Sequence, residues 1–433
     1  MKSEERSIAT ELIDFIDSCP TAYHSAVHIK GILDSNGFQS LNEKDSWKLE
    51  SGKGYYIERN NSAVAAFIMG TEPPADGFLL AGAHTDSPGL KLKDDGEAGK
   101  PQTGYLRLPV EVYGGPIIST WLDRDLSIAG VVQLRDEGEK SGYKSVLFDF
   151  ERPVAVIPNV AIHFNREVNT GFEYNRQVHL QALVSAGTGS PEGLKSLIAG
   201  VLGCPPEEIG GWDLFLYDCQ PGNHSGLDRD LIVTGRIDNL AGCHAILAAL
   251  LSVKDPRRTV GGFFFDNEEV GSATLQGADS GFLSDLLDRL VLVRGGSAED
   301  RYRARAASYF ISVDGAQAFH PNFPEMHDRD YAPTLNGGPV IKMNANYRYA
   351  TTSEGAVFFK ELCRKAGVPV QRFMMRSDLP CGSTIGPVTS AQGGIKTLDV
   401  GIPMLAMHSI RETCGRDDQG YMIRALSGFF KAG

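Results

Sequence analysis

Residues 261–269 read GGFFFDNEE: five small or apolar residues, then four polar ones of which three are acidic. A run this short and this rich in Phe fits a strand buried on both faces better than a helix. The abrupt change to Asp266-Asn267-Glu268-Glu269 places charge at the end of that strand. The same texture recurs in FLLAGA (78–83) running into His84-Thr85-Asp86, in SYFISV (308–313) into Asp314, and in MLAM (404–407) into His408. A fifth acid, Asp238, stands in GRIDNLAG (235–242), just before a strongly apolar helix expected over 240–253. In an open parallel sheet, ligands gather outside the carboxyl ends of the strands, so residues far apart in sequence converge there.

Around these runs the chain alternates strands and helices. Helices are expected over 8–18 and 22–35, strands over 63–69 and 78–83, a helix over 282–290 and another over 355–366. Such alternation implies an α/β fold, a doubly wound and largely parallel sheet with helices on both faces. Between about Asp94 and Asp230 the texture differs. YLRLPVEVYGG, STWLDRDLSIAGVVQL and KSVLFDF are short, β-rich and broken by Gly and Pro, with one helical stretch from Pro191 to Leu202. The expected organisation is a catalytic domain split between 1–93 and 231–433, with a β-rich domain inserted at 94–230. A chain of 433 residues has room for both, since single cores stop growing near ~250–300 residues.

Composition narrows the class. With 42% hydrophobic and 22% charged residues the chain is ordinary for a globular protein. A net charge of −12 argues against nucleic acid or an anionic membrane as partner, because both require a basic face. No stretch of ~18 apolar residues suggests a membrane span. The start, MKSEERSIATELIDFIDSC, lacks the apolar run and cleavage site of a signal peptide. The seven cysteines are scattered without C-x-x-C spacing, which fits a reducing compartment, so a cytoplasmic location is expected.

The candidate residues each have a plainer reading. Asp238 fits a helix N-cap, His84 and His408 fit hydrogen-bonded turns, and Glu268–Glu269 fits a solvated turn. Two adjacent carboxylates at a buried strand end repel each other, however, unless a cation or shared proton relieves them. A catalytic zinc takes three protein ligands and keeps one position open. His84, Asp238, Glu269, Asp314 and His408 are too many for one such site and suit two zinc ions sharing a carboxylate, with Mn or Co as substitutes. No H-E-x-x-H occurs. Neighbouring side chains on an extended segment point opposite ways, so one of the Glu268–Glu269 pair can bind metal while the other acts as general base. Asp86 is placed either to accept the second ring N–H of His84 or to begin the Ser87-Pro88-Gly89 turn.

Six segments in order, GAHTDSPGLKLK, GRIDNLAG, FDNEEVGS, SVDGAQAFHPN, RSDLPCGSTIGP and AMHSIRE, resemble the aspartyl aminopeptidase family of co-catalytic zinc metallopeptidases. The resemblance runs from about His24 to the C-terminal end. It implies one zinc on His84, Asp238 and Asp314, a second on Asp238, Glu269 and His408, and Glu268 as general base. It implies that the inserted domain serves dimerisation, and that dimers build a tetrahedral dodecamer. It further implies peptide substrates with free N-termini, preferably Asp or Glu, received by Lys342 and Tyr349 of KMNANYRYA. Within that segment Asn346 and Tyr347 stand where the family more often has Lys and Gln. Related two-zinc exopeptidases imply a cis peptide after Asp238. His163, in VAVIPNVAIHFNREVN, reads by itself as a turn histidine; the resemblance places it in the catalytic pocket of a neighbouring protomer. Two other readings of the residues stand beside this one: a di-zinc deacylase or carboxypeptidase-like hydrolase, and a shell-forming binding protein with a vestigial metal site.

Overall fold

The strand expected at 261–265 forms as Val260–Phe265, with all six residues buried. Its side chains alternate between two cores. Phe264 joins one, with Ala81, Ala83, Ile311 and Leu398. Phe263 and Phe265 join the other, with Leu80 and Phe310. Burial on both faces is what made this segment continuously apolar. The computed structural model describes residues 2–93, 104–186 and 193–432.

These residues form two compact units, Met1–Asp86 with Gly222–Met407 and Glu412–Gly433, and Ser87–Pro221 with His408–Arg411. The first unit is built on a nine-stranded sheet. Its order is Gln39–Ser40, Gly54–Arg59, Ala63–Ile68, Val260–Phe265, Leu79–His84, Tyr309–Val313, Lys396–Gly401, Val340–Lys342 and Gln371–Phe373. The four central strands, from Val260–Phe265 to Lys396–Gly401, are mutually parallel. Antiparallel pairing appears only toward the edges. Helices Ile237–Leu251 and Asp418–Lys431 bury their apolar residues in the core of one face, and Phe282–Val293 buries its own in the core of the other. The fold is the doubly wound α/β arrangement that the sequence implies.

One apolar run behaves differently from its reading. MLAM (404–407) does not extend the main sheet; the strand is Pro403–Leu405, and it lies in a separate five-stranded sheet. There it pairs with Ala316–Gln317 and Glu412–Gly415. The chain leaves the strand at Ala406, whose φ is 54°. The fourth central strand of the main sheet is Lys396–Gly401. Helix Ala298–Ala307, absent from the sequence reading, has a single buried side chain in Ala304 and so no apolar period to reveal it. A Ser297–Asp300 capping box starts it.

The second unit is antiparallel and β-rich. Its five-stranded sheet runs Val110–Tyr113, Gly89–Leu92, Ile209–Asp218, Leu126–Arg135 and Tyr143–Asp149. Trp212, Leu214 and Leu216 face its core in strict alternation. The helix expected over 191–202 is Leu194–Leu202, and Pro191 lies outside the described residues. Pairing explains why the unit begins at Ser87 and ends at Pro221, somewhat before the sequence-based limits of 94 and 230. Gly89–Leu92 pairs with Val110–Tyr113 and Ile209–Asp218, whereas Asn223–Ser225 pairs with Leu231–Thr234 of the first unit. Among the described residues, no helix is long and apolar enough to cross a membrane.

Candidate metal centre

Register brings the key residues of the first unit to one edge. Phe265 lies opposite His84, and Ser312 opposite Gly82, in parallel ladders. His84, the turn after Phe265, and Asp314 therefore emerge together at the carboxyl ends of adjacent strands. Asp238 arrives from the helix Ile237–Leu251. Gly242 lets that helix approach, because a Cβ there would stand 2.9 Å from the Val313 carbonyl oxygen. Asn239 Nδ2 donates to the same oxygen at 2.8 Å, tying the helix to the strand that ends at Asp314. The Asp238–Asn239 peptide is cis.

His84, Asp238 and Asp314 each offer one ligand atom, and these atoms lie within 4.8 Å of one another. From His84 Nε2 the distances are 3.4 Å to Asp238 Oδ1, 3.7 Å to Asp314 Oδ1 and 4.0 Å to Glu268 Oε2. All three residues of the trio are buried. His84 Nδ1 lies 3.0 Å from the backbone carbonyl of Asp86, which only accepts, so the ring hydrogen sits on Nδ1. In the neutral ring the Nε2 lone pair then faces the carboxylates, as a metal ligand requires. The Asp86 carboxylate is also near the ring, at 3.3 Å, but it holds the next turn too. It accepts the backbone N–H of Glu268 at 3.2 Å and of Glu269 at 3.1 Å. Glu269 offers a ligand atom near His84 and Glu268 within the same 4.8 Å limit.

The electrostatics are those of a crowded acid cluster. Burial alone would lower the His84 pKa, but hydrogen bonds to Asp238, Asp314 and Asp86 and the charge of Glu268 carry it well above the usual imidazole range. Burial pushes Glu268 up to about 7, against the pull of His84 and with the added repulsion of Asp314, Asp238 and Asp86. Burial and the Asp86 charge likewise raise Asp266 to about 7. Carboxylates gathered this closely around one imidazole nitrogen have the donor chemistry of a zinc site and are relieved by a divalent cation.

Lys342 is buried, with Nζ donating to the Gly315 carbonyl at 2.8 Å and to Asp314 Oδ2 at 3.3 Å. Its ammonium stands 4.9 Å from the centre of the buried Tyr349 ring. Burial raises the Tyr349 hydroxyl pKa, and a hydrogen bond with Cys381 adds to this. In the second unit, His163 is exposed in a turn closed by the Phe164 N–H to the Ala161 carbonyl at 2.8 Å. His408, with φ of 69°, groups with that unit as well. Its Nδ1 lies 3.1 Å from the Gly115 carbonyl, which again leaves the neutral ring's lone pair on Nε2.

Two contributors escaped the sequence reading. Asn239 is one, and the other is Glu412, whose Oε2 accepts the Asp238 N–H at 3.0 Å. Both sit inside quoted motifs, directly beside Asp238 or four residues after His408, but neither follows an apolar strand of the main sheet.

Comparison with known proteins identifies the family. The sequence model of the family described as aminopeptidase I zinc metalloprotease (M18) matches residues 15–430. The chain is 44% identical over 431 residues to the probable M18 family aminopeptidase 2 of Clostridium acetobutylicum, covering 98% of this chain and 99% of the relative. It is 43% identical over 426 residues to the protein of the same name from Clostridium novyi, covering 98% of each. Among solved structures it resembles prApe1, with a TM-score of 0.92 and 31% identity over 100% of this chain and 95% of that one. It also resembles a chain of the S. cerevesiae mApe1 dodecamer, with a TM-score of 0.84 and 31% identity over 98% and 97%.

Proposed function

The chain belongs to the aminopeptidase I family of zinc metalloproteases, M18, and from that premise we propose that it removes N-terminal Asp or Glu from unblocked peptides using two zinc ions and Glu268 as general base. It is a zinc metallo-aminopeptidase, a hydrolase of peptide bonds. The observation that carries the finer reading is the convergence of His84, Asp238 and Asp314 within 4.8 Å of one another, with Glu268 beside them.

In this reading His84, Asp238 and Asp314 hold one zinc, and Asp238, Glu269 and His408 hold the second, so that Asp238 serves both. Manganese or cobalt suits the same His and carboxylate donors. Zinc at these places supplies Lewis acidity toward the scissile carbonyl and lowers the pKa of the attacking water. Glu268 takes the proton from that water and delivers it to the leaving amine. Asp86 keeps the turn carrying Glu268 and Glu269 in place through two backbone N–H groups. An N-terminal Asp or Glu side chain competes with Asp314 and the Gly315 carbonyl for the Lys342 ammonium, with Tyr349 beneath it.

The working form is a homo-oligomer, a tetrahedral dodecamer built from dimers; the mApe1 relative is a dodecamer. His163 from a second copy completes the pocket. Val160, Ile162 and Phe164 around it are 53%, 49% and 85% exposed, an apolar display suited to burial against another subunit. The seven cysteines are free, in keeping with a cytoplasmic location. Zinc quantification with a panel of amino-acid anilides differing in the first residue tests the reading. Two zincs per subunit with fastest turnover of Asp and Glu supports it; one zinc, or no acidic preference, rejects the corresponding part.

A further inference from the structure

We infer that Glu412 is the positioning residue of Asp238, acting through the Asp238 backbone N–H and holding no metal itself. This rests on the reading of Asp238 as a zinc ligand. Glu412 is 1% exposed, an acid sealed into the first unit. Its place is set by the sheet: Glu412 lies opposite Thr234 in the antiparallel ladder of Leu231–Thr234 with Glu412–Gly415. From Thr234 the chain passes through Arg236, whose φ is 58°, and enters the helix Ile237–Leu251. Thr234 and Asp238 thus converge on the same glutamate, one by strand pairing and one by a side-chain hydrogen bond.

The need for such a residue follows from the backbone. The first N–H groups of a helix have no partner within it. Asp238 and Asn239 also depart from helical geometry, with φ and ψ of −80° and 105°, and of −126° and 29°. The buried Asp238 N–H therefore relies on Glu412 Oε2, 3.0 Å away. On the other side, Asn239 Nδ2 fixes the next residue to the Val313 carbonyl at 2.8 Å. The two bonds pin the peptide that carries the Asp238 carboxylate from both ends. The Glu412 oxygens are not among the described ligand groups that lie within 4.8 Å of one another around Asp238, so the carboxylate works at one remove. Partners of this kind typically set metal affinity by 10–100-fold.

Glu412→Gln and Glu412→Met separate the roles, because both keep the side chain's size but only Gln retains an oxygen to accept the N–H. Zinc affinity is measured by competition with a chromogenic chelator on the full-length protein, with near-ultraviolet circular dichroism as the check on folding. Glu412→Met is expected to bind zinc about 10–100-fold more weakly, while Glu412→Gln stays close to the wild type and near-native in kcat once zinc is saturating. Wild-type zinc affinity in folded Glu412→Met overturns the inference. So does a loss in Glu412→Gln as large as in Glu412→Met, since charge and not acceptance would then be at work. Should Glu412→Met fail to fold, Glu412→Ala, which is smaller and also lacks an acceptor, takes its place in the same comparison with Glu412→Gln. Asp238→Asn is run in parallel: if it binds zinc fully, the metal reading of Asp238 falls and takes this inference with it. Zinc loss there beside unchanged Glu412 variants rejects this inference alone.

Discussion

Lys342 directs its ammonium at Asp314, with Nζ 3.3 Å from Oδ2, inside a site where it is only 3% exposed. The same ammonium donates to the Gly315 carbonyl, and in the proposed reading it would exchange one of these partners for a substrate carboxylate. A charge-assisted hydrogen bond of this kind contributes about 1.5–3 kcal/mol. Lys342→Ala is therefore expected to lower kcat/KM for N-terminal Asp and Glu by roughly 10- to 150-fold more than for Leu or Ala. Steady-state rates on matched anilides measure the difference. An equal loss on every substrate makes Lys342 a partner of Asp314 alone.

Glu268 and Asp238 should fail in different ways. Glu268→Gln is expected to keep its zinc and lose about 10²–10⁴ in kcat, the range for removing a general acid–base group. Asp238→Asn is expected to lose zinc, because in the proposed reading Asp238 would hold both ions. Metal content by mass spectrometry alongside kcat tells the two apart. Zinc loss in Glu268→Gln with retention in Glu269→Gln would reverse the roles of that pair.

His163 is expected to act across subunits as a hydrogen-bond donor to the oxyanion, and loss of such a donor costs about 10²–10³ in kcat. His163→Ala and Glu268→Gln oligomers, each nearly inactive, should recover part of the activity when dissociated, mixed and reassembled. Some interfaces then pair an intact histidine with an intact metal site. Mixed oligomers that form but stay inactive would confine His163 to its own subunit or to structure.

Acid should destabilise the first unit through two histidines, the buried His244 and the half-buried His24. Burial, with the Arg236 charge, lowers His24 to about 4, and burial, with the His28 charge, lowers His244 to about 4. His244 Nδ1 takes a hydrogen bond from Gln419 at 2.7 Å, and the Phe15 ring packs 5.5 Å away. Above the model-peptide value of 6.5 both rings are neutral in folded and unfolded chains, so they add no pH dependence. Between 6.5 and about 4 the unfolded chain binds protons that the folded one refuses. Stability falls there by up to about 1.4 kcal/mol per pH unit for each group. Urea unfolding of wild type and His244→Gln from pH 7.5 to 4.5 should give a difference that is constant above 6.5 and shrinks below it. A difference independent of pH would mean that His244 titrates normally.

Much of the site was legible because its residues obey a local rule. FLLAGA before His84, GGFFF before Glu268–Glu269 and SYFISV before Asp314 are apolar on both faces, and the polarity changes where the strand leaves the sheet. His408 fitted the same textual pattern for a different reason, since its strand belongs to another sheet. Glu412 and Asn239 left no such trace. Their contacts are to backbone N–H and carbonyl groups, which have the same chemistry at every residue and so impose no pattern on the sequence.

The sequence by itself determined the alternation of buried strands and helices, the β-rich interruption, and which residue types end the strands, because burial and periodicity act over a few neighbouring residues. Only the tertiary structure decided that Val260–Phe265, Leu79–His84 and Tyr309–Val313 lie side by side in parallel register. It alone placed the Asp86 carboxylate under the Glu268 and Glu269 amides, the Lys342 ammonium on Asp314, and Glu412 on the Asp238 amide. Those relations join residues from 28 to 183 positions apart, and strand order and register, which no local pattern encodes, bring them within hydrogen-bonding reach.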